Sequence, residues 1–227
     1  MALISVLWYT IRDQKEAETR RTEAQQLSKE AELIKLRQQL QPHFLFNSLN
    51  SINALIGSNP QQARTMIQQL SEFLRGTLRK DENQWISLED ELEHLQLYLS
   101  IEKIRFGTRL FTIITDNTKS KAYLPAMLLQ PIVENAIKFG LYDTTGVVTI
   151  TLETRMENDE LCVTICNPYD SQTSNVTKGT GFGLHSIQRR LYLLFARQDL
   201  LHTSANNNLF CTTIKIPQND KGNNYRR

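Results

Sequence analysis

Apolar positions recur every seven residues from residue 13 to about 41. Ala17, Ala24 and Ala31 form one series, Leu27 and Ile34 another, and Glu, Gln, Lys and Arg fill the gaps. That period predicts a parallel coiled-coil seam, and therefore a dimer. The seam runs into residues 38–52, QQLQPHFLFNSLNSI, with no glycine or proline before Pro42. Proline inside a helix removes one backbone hydrogen bond, here to the Gln38 carbonyl, and costs about 3 kcal/mol. The defect sits directly before His43. Downstream, Gly57-Ser58-Asn59-Pro60 predicts a break: Gly57 ends one helix, Asn59 caps the next, and Pro60 suits its first turn. Ala63, Met66, Ile67, Leu70, Phe73, Leu74 and Leu78 follow at helical spacing to about Lys80. Two helices across so short a turn make an antiparallel hairpin, and two hairpins from a dimer make a four-helix bundle.

The pattern changes after residue 87. A third helix is predicted over 87–105, opened by a capping-box-like pairing of Ser87 with Asp90. Strands rich in β-branched residues are predicted over 110–115, 147–155, 160–166 and 210–216, with helices over 126–141 and 182–196 between them. The fold class is α+β: a helical N-terminal part, then a sandwich of one sheet and one helical layer. Residues 217–227 are polar and read as a frayed tail.

Charge and cysteine content narrow the classes. A net charge of +2 from 26 basic and 24 acidic residues leaves no polyanion-binding footprint, so no nucleic-acid partner is expected. Residues 1–11, MALISVLWYTI, are apolar over a run shorter than the about 20 residues a bilayer requires. With no basic region before them and no small-residue cleavage site after them, a signal peptide does not fit. Trp8 and Tyr9 ahead of Arg12 and Lys15 suit the cytoplasmic rim of a membrane helix, and the segment reads as the end of a truncated transmembrane span. Cys162, Cys166 and Cys211 lie in apolar strand-forming segments, the first two on one strand face. An odd count with no neighbouring histidine predicts buried free thiols rather than a disulfide framework or a metal site.

Two short segments carry candidate chemistry. Glu134, Asn135 and Lys138 fall within about one turn of the helix over 126–141. Glu134 and Lys138, four apart, also make an ordinary surface ion pair. Together, however, the three offer a carboxylate, a neutral oxygen ligand and a cation, the groups that Mg²⁺ and a triphosphate take. Gly179, Gly181 and Gly183, in GTGFGL, open the helix over 182–196. Glycine lets backbone N–H groups approach phosphates, and a helix N-terminus favours anions. The run is neither G-x-G-x-x-G nor G-x-x-x-x-G-K-[ST], and a glycine-rich hinge without a ligand is the alternative.

Taken in order, LRQQLQPHFLFNSLNSI, SLEDELEHLQLYLSIEKIRFGTRL, LQPIVENAIKFGL and GTGFGLHSIQRRL resemble the LytS/YehU-type sensor histidine kinases, over about residues 33–216. The resemblance implies a dimeric histidine-bearing hairpin followed by a Bergerat-type ATP-binding α/β sandwich. The implied divisions are 1–11, end of a membrane helix; 12–41, coiled coil; 33–82, phosphotransfer hairpin; 87–217, ATP-binding domain; and 218–227, tail. It implies ATP-dependent autophosphorylation of His43 and transfer to an aspartate in the receiver domain of a response regulator. ATP and Mg²⁺ are the implied ligands. Asn135 would bind the metal, and Glu134 would orient water or metal. Lys138 would contact phosphate, Asn167 would read adenine, and Gly179, Gly181, Gly183 and Leu184 would form the lid. The chain would be the cytoplasmic portion of a bacterial inner-membrane homodimer.

Three positions depart from the wider kinase pattern. Phe44 follows His43 where many histidine kinases carry an acid, which leaves Glu72 as the candidate base. Asn167-Pro168 stands where an Asp-x-Gly usually reads the adenine amino group, and Phe139 stands where relatives often have histidine. Phe44 and Asn167 favour the alternative of a weakly active or non-catalytic ATP-binding dimeric module. A gyrase- or chaperone-type ATPase is disfavoured, because it has no use for the His43 block. His94, His185 and His202 are expected to lie outside the catalysis, His94 at a solvent edge.

Overall fold

The computed structural model describes residues 42–79, 84–142, 146–169, 182–206 and 208–218. The membrane-end segment, the coiled coil, Gly179, Gly181 and the tail beyond residue 218 lie outside the described residues. The chain divides into two units, Met1–Asn47 and Ser48–Arg227. Of the first, residues 42–47 are described. They are helical from Pro42 onward as the start of α1 (Pro42–Ser58), with His43 exposed and Phe44 buried.

The second unit begins within α1 and turns into α2 (Pro60–Arg79). Asn59 caps α2 as expected, its side-chain oxygen accepting from the Gln62 N–H at 3.1 Å, whereas Gly57 stays helical. Ala63, Met66, Leu70, Phe73 and Thr77 recur at three- and four-residue spacing and form the buried stripe of α2. After β1 (Trp85–Ser87), Ser87 caps α3 (Leu88–Phe106): its hydroxyl accepts from the Asp90 N–H at 3.1 Å and donates to the Asp90 carboxylate at 2.6 Å. Three acids in the first turn and two bases in the last complement the α3 dipole.

α3 packs on α2 through His94, which is buried and not at the solvent edge expected of it. Its ring stacks on Phe73 with centroids 4.8 Å apart, and its Nε2 lies 3.4 Å from the Thr77 hydroxyl. A β-carbon on Gly76 would come within 2.9 Å of its Nδ1, so the missing side chain at residue 76 admits the imidazole.

The main sheet has the order β2 (Leu110–Asp116), β4 (Val148–Glu157), β5 (Glu160–Pro168), β7 (Leu209–Pro217), β6 (Leu201–Asn206). β2 runs parallel to β4 and the other neighbours are antiparallel. Alternation sends Val148, Ile150 and Leu152 of β4, Leu161, Val163 and Ile165 of β5, and Ile214 and Ile216 of β7 into the core. Against that face packs α4 (Gln130–Tyr142), and α5 (Phe182–Phe195) packs beside α4. This bears out the α+β class and the single helical layer. A two-stranded sheet of β1 with β3 (Tyr123–Pro125) was not expected, nor was β6. Gln218 is anchored rather than frayed: its side chain accepts from the Tyr123 N–H at 2.9 Å and donates to the Tyr123 carbonyl at 2.8 Å. Among the described residues no helix is long and apolar enough to cross a membrane.

The thiol expectation holds only for Cys162, which is free and buried. Cys166 and Cys211 are register partners on the outer sheet face and form a disulfide. Pairing of two strands 45 residues apart in sequence is what an odd cysteine count could not reveal. A thiol-reactive probe applied to the denatured, unreduced chain is therefore expected to label one cysteine of three, and all three after reduction. Three labelled cysteines without reductant would contradict the pairing.

Candidate functional site

α4 begins at Gln130 and not at Ala126, because Met127 has φ +59°, a left-handed conformation no α-helix accommodates. The carbonyl of Leu129 accepts from the N–H groups of Ile132 and Val133, both at 3.1 Å, and so starts the helix. Ile132, Val133, Ala136 and Ile137 are buried toward the sheet. Glu134 and Asn135 are half-buried on the other flank and Lys138 is exposed. Gln130 donates from Nε2 to Glu134 at 2.9 Å, while its buried Oε1 has no protein partner. The Lys138 ammonium lies 5.6 Å from the centre of the Phe139 ring.

Two glycines set how closely other elements approach this helix. A β-carbon on Gly183, in the first turn of α5, would sit 2.6 Å from Asn135 Nδ2 and 3.2 Å from its Oδ1. The first turn of the glycine-box helix therefore rests on the Asn135 carboxamide. A β-carbon on Gly140 would sit 2.9 Å from Val148 Cγ1 and 3.5 Å from Asn167 Cβ. Asn167 follows Leu161, Val163 and Ile165 in the inward series of β5 and is 2% exposed. Its Nδ2 donates to the Pro168 carbonyl at 2.8 Å. Of the expected site residues, Asn135 thus meets Gly183 directly, Asn167 packs at the Gly140 end of the same helix, and Leu184 is half-buried beside Gly183.

The sequence reading missed a buried acidic group on α3. Glu102 is 2% exposed and accepts from Arg105 Nη1 at 3.1 Å on both carboxylate oxygens. Burial raises its carboxyl from 4.5 to about 6, with Arg105 opposing and Glu134 adding to the rise. Burial likewise pushes the Tyr98 phenol well above its usual value, and Glu102 and Glu134 reinforce it. The acids of α3 and α4 therefore share one electrostatic environment.

In the first unit, the amide nitrogen of Asn47 lies 3.2 Å from both ring nitrogens of His43. Phe44 is 5% exposed, so an acid there would be a buried charge. Glu72 is exposed on α2.

The folded value of Glu102 lies above its unfolded one. Its neutral form therefore contributes stability that is complete below about pH 4.5 and is lost as pH rises through about 6. Urea denaturation from pH 4.5 to pH 7 is expected to show this loss in the wild type, on the order of 2 kcal/mol, and not in Glu102→Gln. Equal pH dependence in both proteins would exclude Glu102 as the source.

A family model described as Histidine kinase matches residues 31–110. Sensor histidine kinase BtsS of Escherichia coli (strain K12) is 38% identical over 163 residues, which cover 71% of this chain and 29% of that one. Sensor protein LytS of Streptococcus agalactiae serotype V is 31% identical over 206 residues, covering 86% of this chain and 36% of that one. Among solved structures, Acinetobacter baumannii histidine kinase AdeS is similar with a TM-score of 0.44 at 15% identity, over 78% of this chain and 96% of that one; no assignment is drawn from so slight a likeness. The chain spans about a third of the length of the curated relatives it matches. His43 lies inside the region that matches the histidine kinase family, and over most of its length the chain is similar to the sensor histidine kinases LytS and BtsS.

Proposed function

We propose that this chain is the phosphoacceptor and ATP-binding part of a two-component sensor kinase. It would be phosphorylated on His43 and would pass the phosphoryl group to an aspartate in the receiver domain of a response regulator. The observation that carries the reading is the seating of Gly183 on the Asn135 carboxamide. That contact sets an oxygen donor beside the first turn of α5, where unpaired backbone N–H groups favour an anion.

The donors on this flank of α4 suit Mg²⁺. They are the Asn135 oxygen, the Glu134 carboxylate and the orphan buried Gln130 Oε1. A hard cation takes oxygen ligands, few of them from protein when phosphates complete the shell. Bound there, Mg²⁺ would neutralise charge on the β- and γ-phosphates. Lys138 supplies a further cation from the exposed side of the helix. Asn167 commits its amide nitrogen to Pro168, so its oxygen is the atom suited to accept from an adenine amino group. Gly179, Gly181 and Leu184 would form the lid with Gly183 in this reading.

The reaction joins an imidazole nitrogen of His43 to the γ-phosphorus as the bond to the β,γ-bridging oxygen breaks and ADP leaves. Neutral imidazole is available near pH 7, from an ordinary pKa of about 6.5. The ring proton passes to a base, for which Glu72 stays the candidate. In-line placement and charge neutralisation supply most of the catalysis, since phosphoryl transfer needs little covalent help.

Residues 33–82 are the phosphotransfer hairpin in this reading and 87–217 the ATP-binding domain. Leu49 and Ile56 on α1, with Ile67 and Leu78 on α2, are large exposed apolar residues, which supports pairing with a second copy in a four-helix bundle. The segment 1–11 and the coiled coil over 12–41 would tether the kinase to the inner face of a bacterial membrane. Asn167, uncharged where an acid usually reads adenine, favours a second reading as a weakly active or non-catalytic module.

Incubation with γ-labelled ATP and Mg²⁺ separates the two. Acid-labile, base-stable label on wild type and none on His43→Gln is the expected result. Nucleotide binding without label would sink the kinase reading in favour of the module. Gly183→Ala is expected to keep its melting temperature within a few degrees. A methyl there displaces the Asn135 carboxamide, so calorimetry should find nucleotide affinity lower by about tenfold or more.

A further inference from the structure

α4 has no acidic residue in its first turn, and Leu129, whose carbonyl starts it, has no side chain able to cap. The backbone donors of the segment that leads into it are met from another helix. Glu91, on α3 and 2% exposed, accepts from the Met127 N–H at 3.0 Å on one carboxylate oxygen and from the Leu129 N–H at 3.2 Å on the other. The same lead-in is held at Ala126, whose N–H donates to the Gln84 carbonyl at 2.9 Å and whose carbonyl accepts from Arg190 of α5 at 2.8 Å. Met127, between these anchors, is held at φ +59°, a conformation a non-glycine residue keeps only when its surroundings over-determine it.

We propose that Glu91 is a positioning residue of the nucleotide site: by holding the lead-in at Met127 and Leu129 from a neighbouring helix it fixes where α4 starts, and with it where Glu134 and Asn135 stand. The inference rests on the reading of that flank as the ATP site. A carboxylate is the one side chain of this length that offers two acceptor oxygens to two backbone donors, and its charge complements the positive end of the helix dipole. Glutamine keeps the size but turns one acceptor into a donor facing an N–H group. The start of α4 must then shift or leave a donor unpaired. Because Asn135 is already in contact with Gly183, small displacements of α4 reach the site undamped.

The test uses the full chain and calorimetry with Mg²⁺ and a non-hydrolysable ATP analogue, together with autophosphorylation rates and thermal melts. Glu91→Gln is expected to raise the dissociation constant and the KM for ATP by at least about fivefold, and to leave the rate at saturating ATP within about twofold of wild type. Ile216→Val, which trims the core of β7, serves as the control for general loss of stability and should leave affinity unchanged. If Glu91→Gln does not melt cooperatively, Glu91→Asp, too short to reach both donors, is read by the same criterion. Wild-type affinity in the Glu91 variant, or an equal loss in Ile216→Val, would overturn the inference alone. A wild-type chain that does not bind the analogue would overturn the site reading and this inference with it.

Discussion

How near α4 can come to its neighbours is the constraint on which the candidate site depends, and two glycines set that distance. Gly140 lets the helix settle onto β4, where Val148 already fills the space a β-carbon would need. Gly183 lets α5 settle onto Asn135. Between them they set the approach of the helix along two directions, because interiors are close-packed and overpacking is costly. A polar flank so located can hold a ligand with its groups already in place, which is what phosphoryl transfer demands of a protein.

The sheet meets a second requirement through alternation. One face of β5 carries Leu161, Val163 and Ile165 and then Asn167, a polar residue placed where the apolar series ends. The other face carries Cys162, Thr164 and Cys166, with Thr164 within 3.1 Å of Thr213 on β7 and Cys166 joined to Cys211. The same strand therefore supplies core, a buried polar group at the candidate site and a cross-strand tie, on faces that the pleat keeps apart. On the helical side, α3 serves two neighbours: His94 seats α2 and Glu91 holds the start of α4, three residues apart on one helix. The helix α2 and the lead-in to α4 are thus attached to adjoining stretches of one element.

What could be read in the sequence follows the range of the interactions. Helices with a regular apolar period, the Ser87–Asp90 start and the Asn59 cap depend on residues a few positions apart, and all were legible. The strands of the sheet were legible from their β-branched alternation, and Asn135 and Gly183 from their residue types, though not their contact. β1 and β3 escaped because three residues each is too short for a period to show. Glu91 and His94 escaped because, among Glu89, Asp90 and Glu93, they read as a solvated face; only the tertiary packing shows both to be buried. The helix over 126–141 starts late because the strained Met127 follows from partners 36 and more residues away. The disulfide is non-local in the same way, since register alone brings Cys166 opposite Cys211.

The central claim is that the polar flank of α4 and the first turn of α5 form one nucleotide site. Amide hydrogen exchange on the whole chain, with and without Mg²⁺ and a non-hydrolysable ATP analogue, tests it most directly. The account predicts added protection in α4, in the first turns of α5 and at the end of β5 around Asn167, with the β2 edge and β6 unchanged. Protection confined to those edges, or none at α4 under saturating nucleotide, would contradict it.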